Sequence, residues 1–467
     1  MSAGPAATLP PSFIESIGSG FPVDFASIEP SDLETYGRDW TKVFPPRASM
    51  LCRPRTTDEV SRLMRLCTQH RVPVIPSGGR TGLACGALAT GGELILSLER
   101  MRRMEPVDAL GRTLRVEAGA EVEAVRQHCA EAHLLWPIAL HSTGSQIGGS
   151  IATNAGGMRG VRYGLTRQWV LGLTVVLASG EVLQLNGALE KNDTGVDLRQ
   201  LFIGSEGILG IITEATLKLA PPLGNADVLL LAAPSFEAVL RVFERTRSAP
   251  FTLVAFESFT DRCLAHVIRH RQVKPPFDVP SRHYALVEVT QADPGAIDGW
   301  LESLSGIGLV AAAARARSSQ QAKELWAYRE SIDASLNAAG LTHGHNIALP
   351  LSRFHAFYTE LENLHASSCP DWELCLFAHV GDGTLQVRII KPEALDRRTF
   401  FARCHAFDTA MFKLIRAHEG GVSAEHGIGL LKKSWLAQSR SAAEIDLMRA
   451  LKRVMDPLGI LNPGKVL

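Results

Sequence analysis

The chain has 467 residues, which is long enough for two or three domains. Its 48 basic and 48 acidic residues give a formal net charge of zero, which offers no electrostatic reason to expect nucleic acid or an anionic membrane as a partner. Hydrophobic residues make up 46% of the chain, yet no apolar run approaches the roughly 20 residues that span a bilayer. These features favour a globular protein without a transmembrane segment.

The N-terminal stretch MSAGPAATLPPS lacks the basic region and apolar core of a secretory signal, so we expect residues 1–44 to form an arm and lead-in. Early acidic residues argue against a transit peptide. Eight cysteines are scattered without a Cys-x-x-Cys pair, which favours buried, reduced thiols over a disulfide framework or a zinc ribbon. The sequence therefore predicts a cytoplasmic location.

Helices and strands alternate in the first half of the chain. Apolar residues recur at helical spacing after Asp58 and again after Glu121, which predicts two helices. Predicted strands include VPVIPS, TLRVE and the hairpin LGLTVVLASGEVLQL. A Pro-Pro pair after residue 220 breaks the last alternation, and we place a domain boundary there.

Three glycine-rich segments are spaced along the first half of the chain: PSGGRTGL, PIALHSTGSQIGGSIATNAGGMRGVRYG and GSEGILGIIT. Glycine lets backbone N–H groups converge on a phosphate, because no Cβ atom obstructs the approach. The first segment alone favours only a turn, since it matches neither a P-loop nor a G-x-G-x-x-G fingerprint. Together the three segments favour one shared dinucleotide over three unrelated loops.

These segments are followed by HVGDG, SAEHGIG and GILNPGK. In this order the motifs resemble the vanillyl-alcohol oxidase superfamily of flavoproteins and, within it, the FAD-dependent D-2-hydroxyacid dehydrogenases. The resemblance implies an α+β fold with a p-cresol-methylhydroxylase-type FAD-binding domain at 45–222. It also implies a second α+β substrate or cap domain at 223–410 and a C-terminal helical segment at 411–467, which completes the FAD site and the active site.

The resemblance implies that FAD binds to residues of these motifs. The implied cofactor-binding residues are Pro76, Gly78, Gly79, Arg80, Thr81, Gly82, Pro137, Ser145, Gly148, Gly149, Asn154, Ile212 and Asn462. Relatives with covalent flavin often carry a histidine directly after the Gly-Gly pair of the first loop, where this chain has Arg80. We therefore predict non-covalent, dissociable FAD and interpret the nearby His141 as a loop residue rather than a linkage.

The segment SAEHGIG places Glu425 and His426 side by side, so on an extended chain their side chains point in opposite directions. A histidine can accept a hydroxyl proton near neutral pH. The resemblance implies that His426 is the base for the C2 hydroxyl, while hydride passes from C2 to flavin N5, and that Glu425 is a metal ligand. The alternative is a histidine held by main-chain atoms at a glycine-rich turn.

The stretch FAHVGDGTLQVR predicts a hairpin. Alternation places Gln386 and Arg388 on one face, and His379 can approach that face across the hairpin. Metal-dependent members of the resembled family read His-x-Gly-Asp-Gly-Asn-x-His here, and both histidines hold a divalent ion, usually zinc. In this chain Gln386 replaces the second histidine, and Thr384 replaces the asparagine.

Two alternatives for a metal therefore stay open. In the first, a divalent ion is bound, and Mn²⁺ would tolerate the amide oxygen better than Zn²⁺. Its implied ligands are His379, Gln386 and Glu425. His343 or His345 of THGHN could supply the missing imidazole. In the second alternative, Arg388 takes over the charge of the ion by binding the substrate carboxylate.

The segment LWAYRE is similar to the family segment whose arginine binds the substrate carboxylate, which implies that role for Arg329. Enzymes for 2-hydroxyglutarate also present a threonine and a lysine, where this chain has Asp333 and Gly344. The acidic side chain of Asp333 would repel a second carboxylate on the substrate, and Gly344 offers no positive charge to bind it. We therefore expect a monocarboxylic D-2-hydroxy acid such as D-lactate. The alternatives are D-2-hydroxyglutarate, the flavoprotein subunit of a glycolate-oxidase-like complex, and a non-catalytic FAD-binding relative.

Reduced flavin needs an electron acceptor. The sequence contains no NAD fingerprint, iron–sulfur cysteine spacing or haem motif. We therefore expect an external acceptor, such as an electron-transfer flavoprotein, a cytochrome or a quinone. A homodimer is compatible with the sequence.

Overall fold

The structure, a computed structural model, describes residues 8–140 and 142–467. Residues 1–7 of the N-terminal arm and His141 lie outside these ranges, so the interpretation of His141 stays a prediction. The chain divides into two compact units. The first comprises the described part of Met1–Gly157 with Leu165–Pro222 and Glu425–Leu467, and the second comprises Met158–Gly164 and Leu223–Ala424.

Helices and strands are mixed throughout the described residues, as predicted for an α+β fold. The α-helices are α1 (Pro11–Gly20), α2 (Pro30–Tyr36), α3 (Thr57–His70), α4 (Val122–Glu131), α5 (Ile147–Ala152), α6 (Gly160–Tyr163), α7 (Arg199–Phe202), α8 (Phe236–Arg247), α9 (Asp261–Arg271), α10 (Pro294–Gly306), α11 (Ser319–Glu330), α12 (Ile332–Ala339), α13 (Leu351–Ser368), α14 (Arg397–Ala417) and α15 (Ala442–Met455). Short 3₁₀ turns cover Thr166–Trp169, Val380–Asp382 and Lys433–Gln438.

The strands follow the same chain order. They are β1 (Ala26–Ser27), β2 (Met50–Cys52), β3 (Val74–Ser77), β4 (Leu94–Ser97), β5 (Thr113–Glu117), β6 (Val170–Val176), β7 (Val182–Leu185), β8 (Ile211–Lys218), β9 (Ala226–Ala233), β10 (Thr252–Thr260), β11 (His283–Thr290), β12 (Ala312–Arg315), β13 (Thr342–Ala348), β14 (Glu373–His379) and β15 (Thr384–Ile390).

The first unit contains two four-stranded sheets, in the orders β1-β2-β4-β3 and β5-β8-β6-β7. In the first sheet β2 and β3 run parallel to β4. Helix α3 was predicted from apolar residues at helical spacing, and its apolar face is buried. Thr56 caps it by accepting a hydrogen bond from the Glu59 N–H at 3.1 Å. Leu461 forms a parallel bridge to Val74, so the C-terminal tail returns to β3.

The second unit is built on a seven-stranded antiparallel sheet in the order β12-β9-β11-β10-β14-β15-β13. Residues directly opposite each other in antiparallel strands point to the same face. Glu257 lies opposite His379, and both Phe377 and Asn346 lie opposite Gln386. One sheet face therefore carries the polar side chains of the predicted hairpin.

The other face of this sheet carries His343 and His345. His345 lies opposite Val387, and His343 lies opposite Ile389. Val387 and Ile389 alternate along β15 with Gln386 and Arg388. A one-residue offset moves a side chain to the opposite face. The suggestion that His343 or His345 could complete the set of His379 and Gln386 was therefore wrong.

The predicted start of the C-terminal segment at residue 411 falls inside α14. Asp396 caps this helix by accepting hydrogen bonds from the N–H groups of Arg398 and Thr399, both at 3.0 Å. The helix belongs to the second unit, and the chain enters the first unit again at Glu425. Every α-helix in the described ranges is too short or too polar to cross a bilayer.

Candidate active site

The three glycine-rich segments meet in the first unit, where β3 ends. A Cβ atom on Gly79 would lie 2.0 Å from the carbonyl oxygen of Gly144, so only glycine permits this approach of the first two segments. The hydroxyls of Thr81 and Ser145 are 3.2 Å apart. A Cβ atom on Gly207 would lie 3.1 Å from Pro76, which brings the third segment to the same strand end.

Further residues predicted to bind FAD belong to this unit. Arg80 has a positive φ of 57°, and its guanidinium lies 4.2 Å from the centroid of the Tyr36 ring. Asn462 donates from Nδ2 to the carbonyl oxygens of Gly86 and Glu206 at 3.0 and 2.8 Å. The C-terminal tail is thereby tied to the loops after β3 and before β8.

Three buried polar atoms test whether these residues fit a bound cofactor. They are Ser77 Oγ, Gln146 Oε1 and Asn462 Oδ1, and none has a hydrogen-bond partner within the described residues. Burying such groups without partners costs free energy, so a bound molecule that supplied their hydrogen bonds would be favoured here. The ribityl hydroxyls and ring N–H of FAD are donors of the required type, and the glycine contacts leave the surrounding backbone unobstructed. The residues therefore fit FAD.

The turn after His426 is held by Glu206, a residue that the sequence reasoning missed. The Glu206 carboxylate accepts hydrogen bonds from the N–H groups of Ile428 and Gly429 at 2.7 and 2.8 Å. Burial raises the pKa of Glu206 above its usual value, although these two N–H donors oppose the shift. The acidic residue inside the otherwise uncharged segment GSEGILGIIT was the available indication. Glu206 thus fixes the backbone next to the predicted base.

The second unit contains a buried polar cluster around Glu257. Glu257 is fully buried on β10, and its carboxylate forms an ion pair with Arg329, with Nε and Oε2 2.8 Å apart. The same carboxylate lies 2.7 and 2.8 Å from His379 Nδ1. Gln386 Nε2 lies 3.0 Å from His379 Nε2. The cluster gathers three predicted site residues, His379, Gln386 and Arg329, around an acid that was not predicted.

The carboxylate of Glu257 keeps a proton on the Nδ1 atom of the His379 ring. Nδ1–H donates to this carboxylate, and the other ring nitrogen, Nε2, lies 3.0 Å from the amide nitrogen of Gln386. A carboxylate on the far nitrogen is also how metal-bound histidines are commonly oriented. However, this face offers one imidazole and one neutral amide, and Arg329 Nη2 lies 3.5 Å from His379 Nδ1. Within the second unit, this donor set fits zinc poorly.

Arg388 lies on the same sheet face and has its own partners. Its Nε donates to Asp333 at 3.1 Å, and Nη1 donates to the carbonyl oxygens of His345 and Val387 at 3.2 and 3.1 Å. Gly344 lies opposite Arg388, and a Cβ atom there would be 2.9 Å from Arg388 Cδ. Asp333 and Gly344, where the resemblance implies a threonine and a lysine in enzymes for 2-hydroxyglutarate, thus both lie next to Arg388.

Two arginines of this cluster lie around the buried ring of Phe377. The guanidinium carbons of Arg329 and Arg388 lie 4.9 and 5.4 Å from the centroid of the Phe377 ring. Two guanidinium groups around one aromatic ring can bind carboxylates, since each is planar and offers paired donors. Both arginines are already paired with carboxylates, Arg329 with Glu257 and Arg388 with Asp333, so an anion bound on this face would exchange with those partners.

Two protein-family models match the chain: an FAD binding domain over residues 48–186 and the C-terminal domain of FAD linked oxidases over residues 224–466. D-2-hydroxyglutarate dehydrogenase of Xanthomonas citri pv. viticola is 43% identical over 457 residues, which cover 97% of this chain and 96% of that protein. The protein of the same name from Stutzerimonas stutzeri is 38% identical over 438 residues, with coverage of 93% and 94%.

Among solved structures, p-cresol methylhydroxylase with substrate bound is similar in fold. The TM-score is 0.73 at 16% sequence identity, and the match covers 98% of each chain. This similarity confirms the predicted p-cresol-methylhydroxylase-type architecture.

Proposed function

Since this chain belongs to the FAD-linked oxidases and is an FAD-dependent D-2-hydroxyacid dehydrogenase, we propose that its substrate is D-2-hydroxyglutarate. The C2 hydroxyl loses its proton to His426, the C2 hydride leaves with its electron pair, and the product is the 2-oxo acid. Bound FAD supplies the hydride acceptor, at N5. The turn held by Glu206 keeps the His426 backbone fixed while the proton moves.

The observation that carries this substrate is the pair of arginines around Phe377. A dicarboxylate offers two planar anions, and each guanidinium can bind one of them. Arg329 would bind the carboxylate next to the reacting carbon, and Arg388 the distal one. In this proposal the positive charge comes from Arg388 on β15. It replaces the charge of the lysine that the resemblance implies at position 344 on β13. The two relatives described above carry the matching name.

A monocarboxylic D-2-hydroxy acid such as D-lactate is the second candidate. It is favoured by the ion pair between Arg388 and Asp333, whose Nε–Oδ1 distance is 3.1 Å. In this alternative Asp333 already neutralises Arg388, and a distal carboxylate would meet a like charge. The two candidate substrates therefore make different demands on Arg388. D-2-hydroxyglutarate requires Arg388 to leave Asp333 and bind the distal carboxylate, whereas D-lactate leaves the ion pair with Asp333 intact.

The experiment that separates them is anaerobic reduction of the FAD-loaded chain by a panel of D- and L-2-hydroxy acids. We expect D-2-hydroxyglutarate to bleach the flavin absorbance with the highest kcat/KM. A higher kcat/KM for D-lactate would favour the second candidate. If no 2-hydroxy acid of the panel reduces the flavin, both substrate proposals are wrong.

We also propose that Arg329 and Arg388, rather than a metal, supply the positive charge for the substrate. The poor zinc-donor set of His379 and Gln386 supports this. The metal-dependent alternative, with Glu425 as a further ligand, stays a competing prediction. After EDTA dialysis we expect an unchanged rate of flavin reduction, and a loss that added Mn²⁺ or Zn²⁺ restores would support the metal.

The electron acceptor is proposed to be an external carrier, such as an electron-transfer flavoprotein, a cytochrome or a quinone. If activity appears only together with co-purified partner proteins, the chain is the flavoprotein subunit of a larger complex. A cytoplasmic location is supported by eight cysteines that are all buried and free.

A further inference from the structure

A second group of titratable side chains lies on the sheet face opposite the Glu257 cluster. His343 and His345 are two residues apart on the edge strand β13, so both project from one face. Asp408 projects towards them from α14. His343 Nε2 lies 2.9 and 3.0 Å from the two carboxylate oxygens, and His345 Nε2 lies 2.9 Å from Oδ1.

We propose that His343, His345 and Asp408 form a binding site for a divalent first-row transition-metal ion. Each residue offers one ligand atom, and these atoms all lie within 4.8 Å of one another. Neighbouring ligands in an octahedral shell with bonds of about 2.1 Å are about 3.0 Å apart. The observed N···O separations already match this spacing. Two imidazoles and one carboxylate suit zinc, iron, cobalt or nickel.

The surroundings hold the rings in place before any ion binds. His345 packs edge-on against Phe412 with centroids 4.9 Å apart, and His343 packs against Phe401 at 6.2 Å. The His343 side chain is 21% exposed, whereas that of Asp408 is 8% exposed, so an ion can reach the group from the sheet edge. A preformed and accessible group loses little conformational freedom on binding.

The carboxylate is in the protonation state that a metal requires. Burial opposes ionisation, but the bonds from His343 and His345 hold the pKa of Asp408 well below its usual range. Metal binding would replace these hydrogen bonds with coordination. Since β13 is an edge strand, the ion would join it to α14, which makes a structural role the natural one.

The test is zinc stoichiometry in the FAD-loaded full chain, measured by elemental analysis after chelator treatment and equilibrium dialysis against Zn²⁺. Compared with the unaltered chain, His343→Asn and Asp408→Asn should each bind one equivalent fewer. The matched control is His355→Asn, since His355 is exposed on α13 of the same unit, and it should bind the same amount as the unaltered chain. Equal stoichiometry in all four proteins, or no zinc in the unaltered chain, would overturn the proposal.

X-ray absorption at the zinc edge of the unaltered chain gives a readout that does not depend on the folding of a variant. We expect scattering from two imidazoles. Zinc bound by one imidazole or by none would overturn the proposal. The Glu257 cluster contains a single histidine, His379, so zinc bound there would show one imidazole.

Discussion

Replacing Glu257 with glutamine removes one negative charge from the interior of the second unit and leaves the shape of the side chain almost unchanged. Glu257 is fully buried, and its two partners, Arg329 and His379, are 4% and 7% exposed. The variant would leave the Arg329 guanidinium buried without its anion. It would also replace the charged acceptor of His379 Nδ1 with a neutral amide.

Breaking a buried ion pair by removing one partner costs about 3–5 kcal/mol. We therefore expect Glu257→Gln to lower the free energy of unfolding by at least about 3 kcal/mol, which corresponds to a factor of roughly 150 in the unfolding equilibrium. The matched control is Glu373→Gln on the neighbouring strand. Glu373 pairs with His266 at 3.0 Å but is 40% exposed, so its loss should cost less than about 1 kcal/mol.

The assay is urea unfolding followed by circular dichroism, with flavin reduction measured on the same preparations. FAD content should not change, because the predicted FAD residues belong to the first unit. The double variant Glu257→Gln with Arg329→Met should recover part of the lost stability, since it also removes the unpaired cation. A Glu257→Gln variant that unfolds within about 1 kcal/mol of the unaltered chain would refute the reasoning.

Three further predictions concern chemistry, specificity and pH. His426→Ala should abolish flavin reduction by substrate while leaving FAD bound, as read by stopped-flow absorbance; an unchanged rate would remove His426 as the base. Arg388→Gln should raise KM for D-2-hydroxyglutarate roughly 10- to 100-fold, because a charged hydrogen bond contributes about 1.5–3 kcal/mol, and should change KM for D-lactate less than about twofold. Equal effects on both substrates would contradict the distal role. Burial lowers the pKa of His283 from 6.5 to about 4, with a smaller contribution from Arg282. The unfolded chain therefore binds the extra proton between these pH values, so the free energy of unfolding falls by about 3 kcal/mol as the pH drops from 6.5 towards 4. In urea titrations at pH 4.5, 5.5 and 7, His283→Gln should show a weaker pH dependence than the unaltered chain, and an identical dependence would contradict the assignment.

Local patterns were enough to predict the hairpin and the face shared by Gln386 and Arg388. Both depend on the alternation of apolar and polar residues within a dozen positions and on a Gly-Asp-Gly turn. These are local features that one short stretch of sequence contains. The helix after Thr56 was predictable for the same reason. The glycine-rich segments predicted a shared dinucleotide site, and the structure shows that the first two of them approach each other closely at Gly79 and Gly144.

Pairings between distant segments could not be read in this way. Glu257 and His379 are separated by 122 residues and meet only because β10 and β14 become neighbours in the sheet. The face of His343 was misjudged because it depends on the register of β13 against β15, which no local pattern specifies. The boundary at 411 was placed inside α14 for a similar reason, since a helix can pass an expected domain limit when its packing partners lie elsewhere.

The glycine at position 344 also constrains how this sequence can change. A Cβ atom there would lie 2.0 Å from the carbonyl oxygen of Val387, in addition to its clash with Arg388. Replacing Gly344 with lysine therefore requires β13 to shift away from β15, and shortening Arg388 alone does not create the space. The main barrier to a side chain at position 344 is therefore the pairing of β13 with β15, and a second substitution at position 388 does not remove it. Libraries that vary positions 344 and 388 together should therefore recover no more side chains at position 344 than libraries that vary position 344 alone.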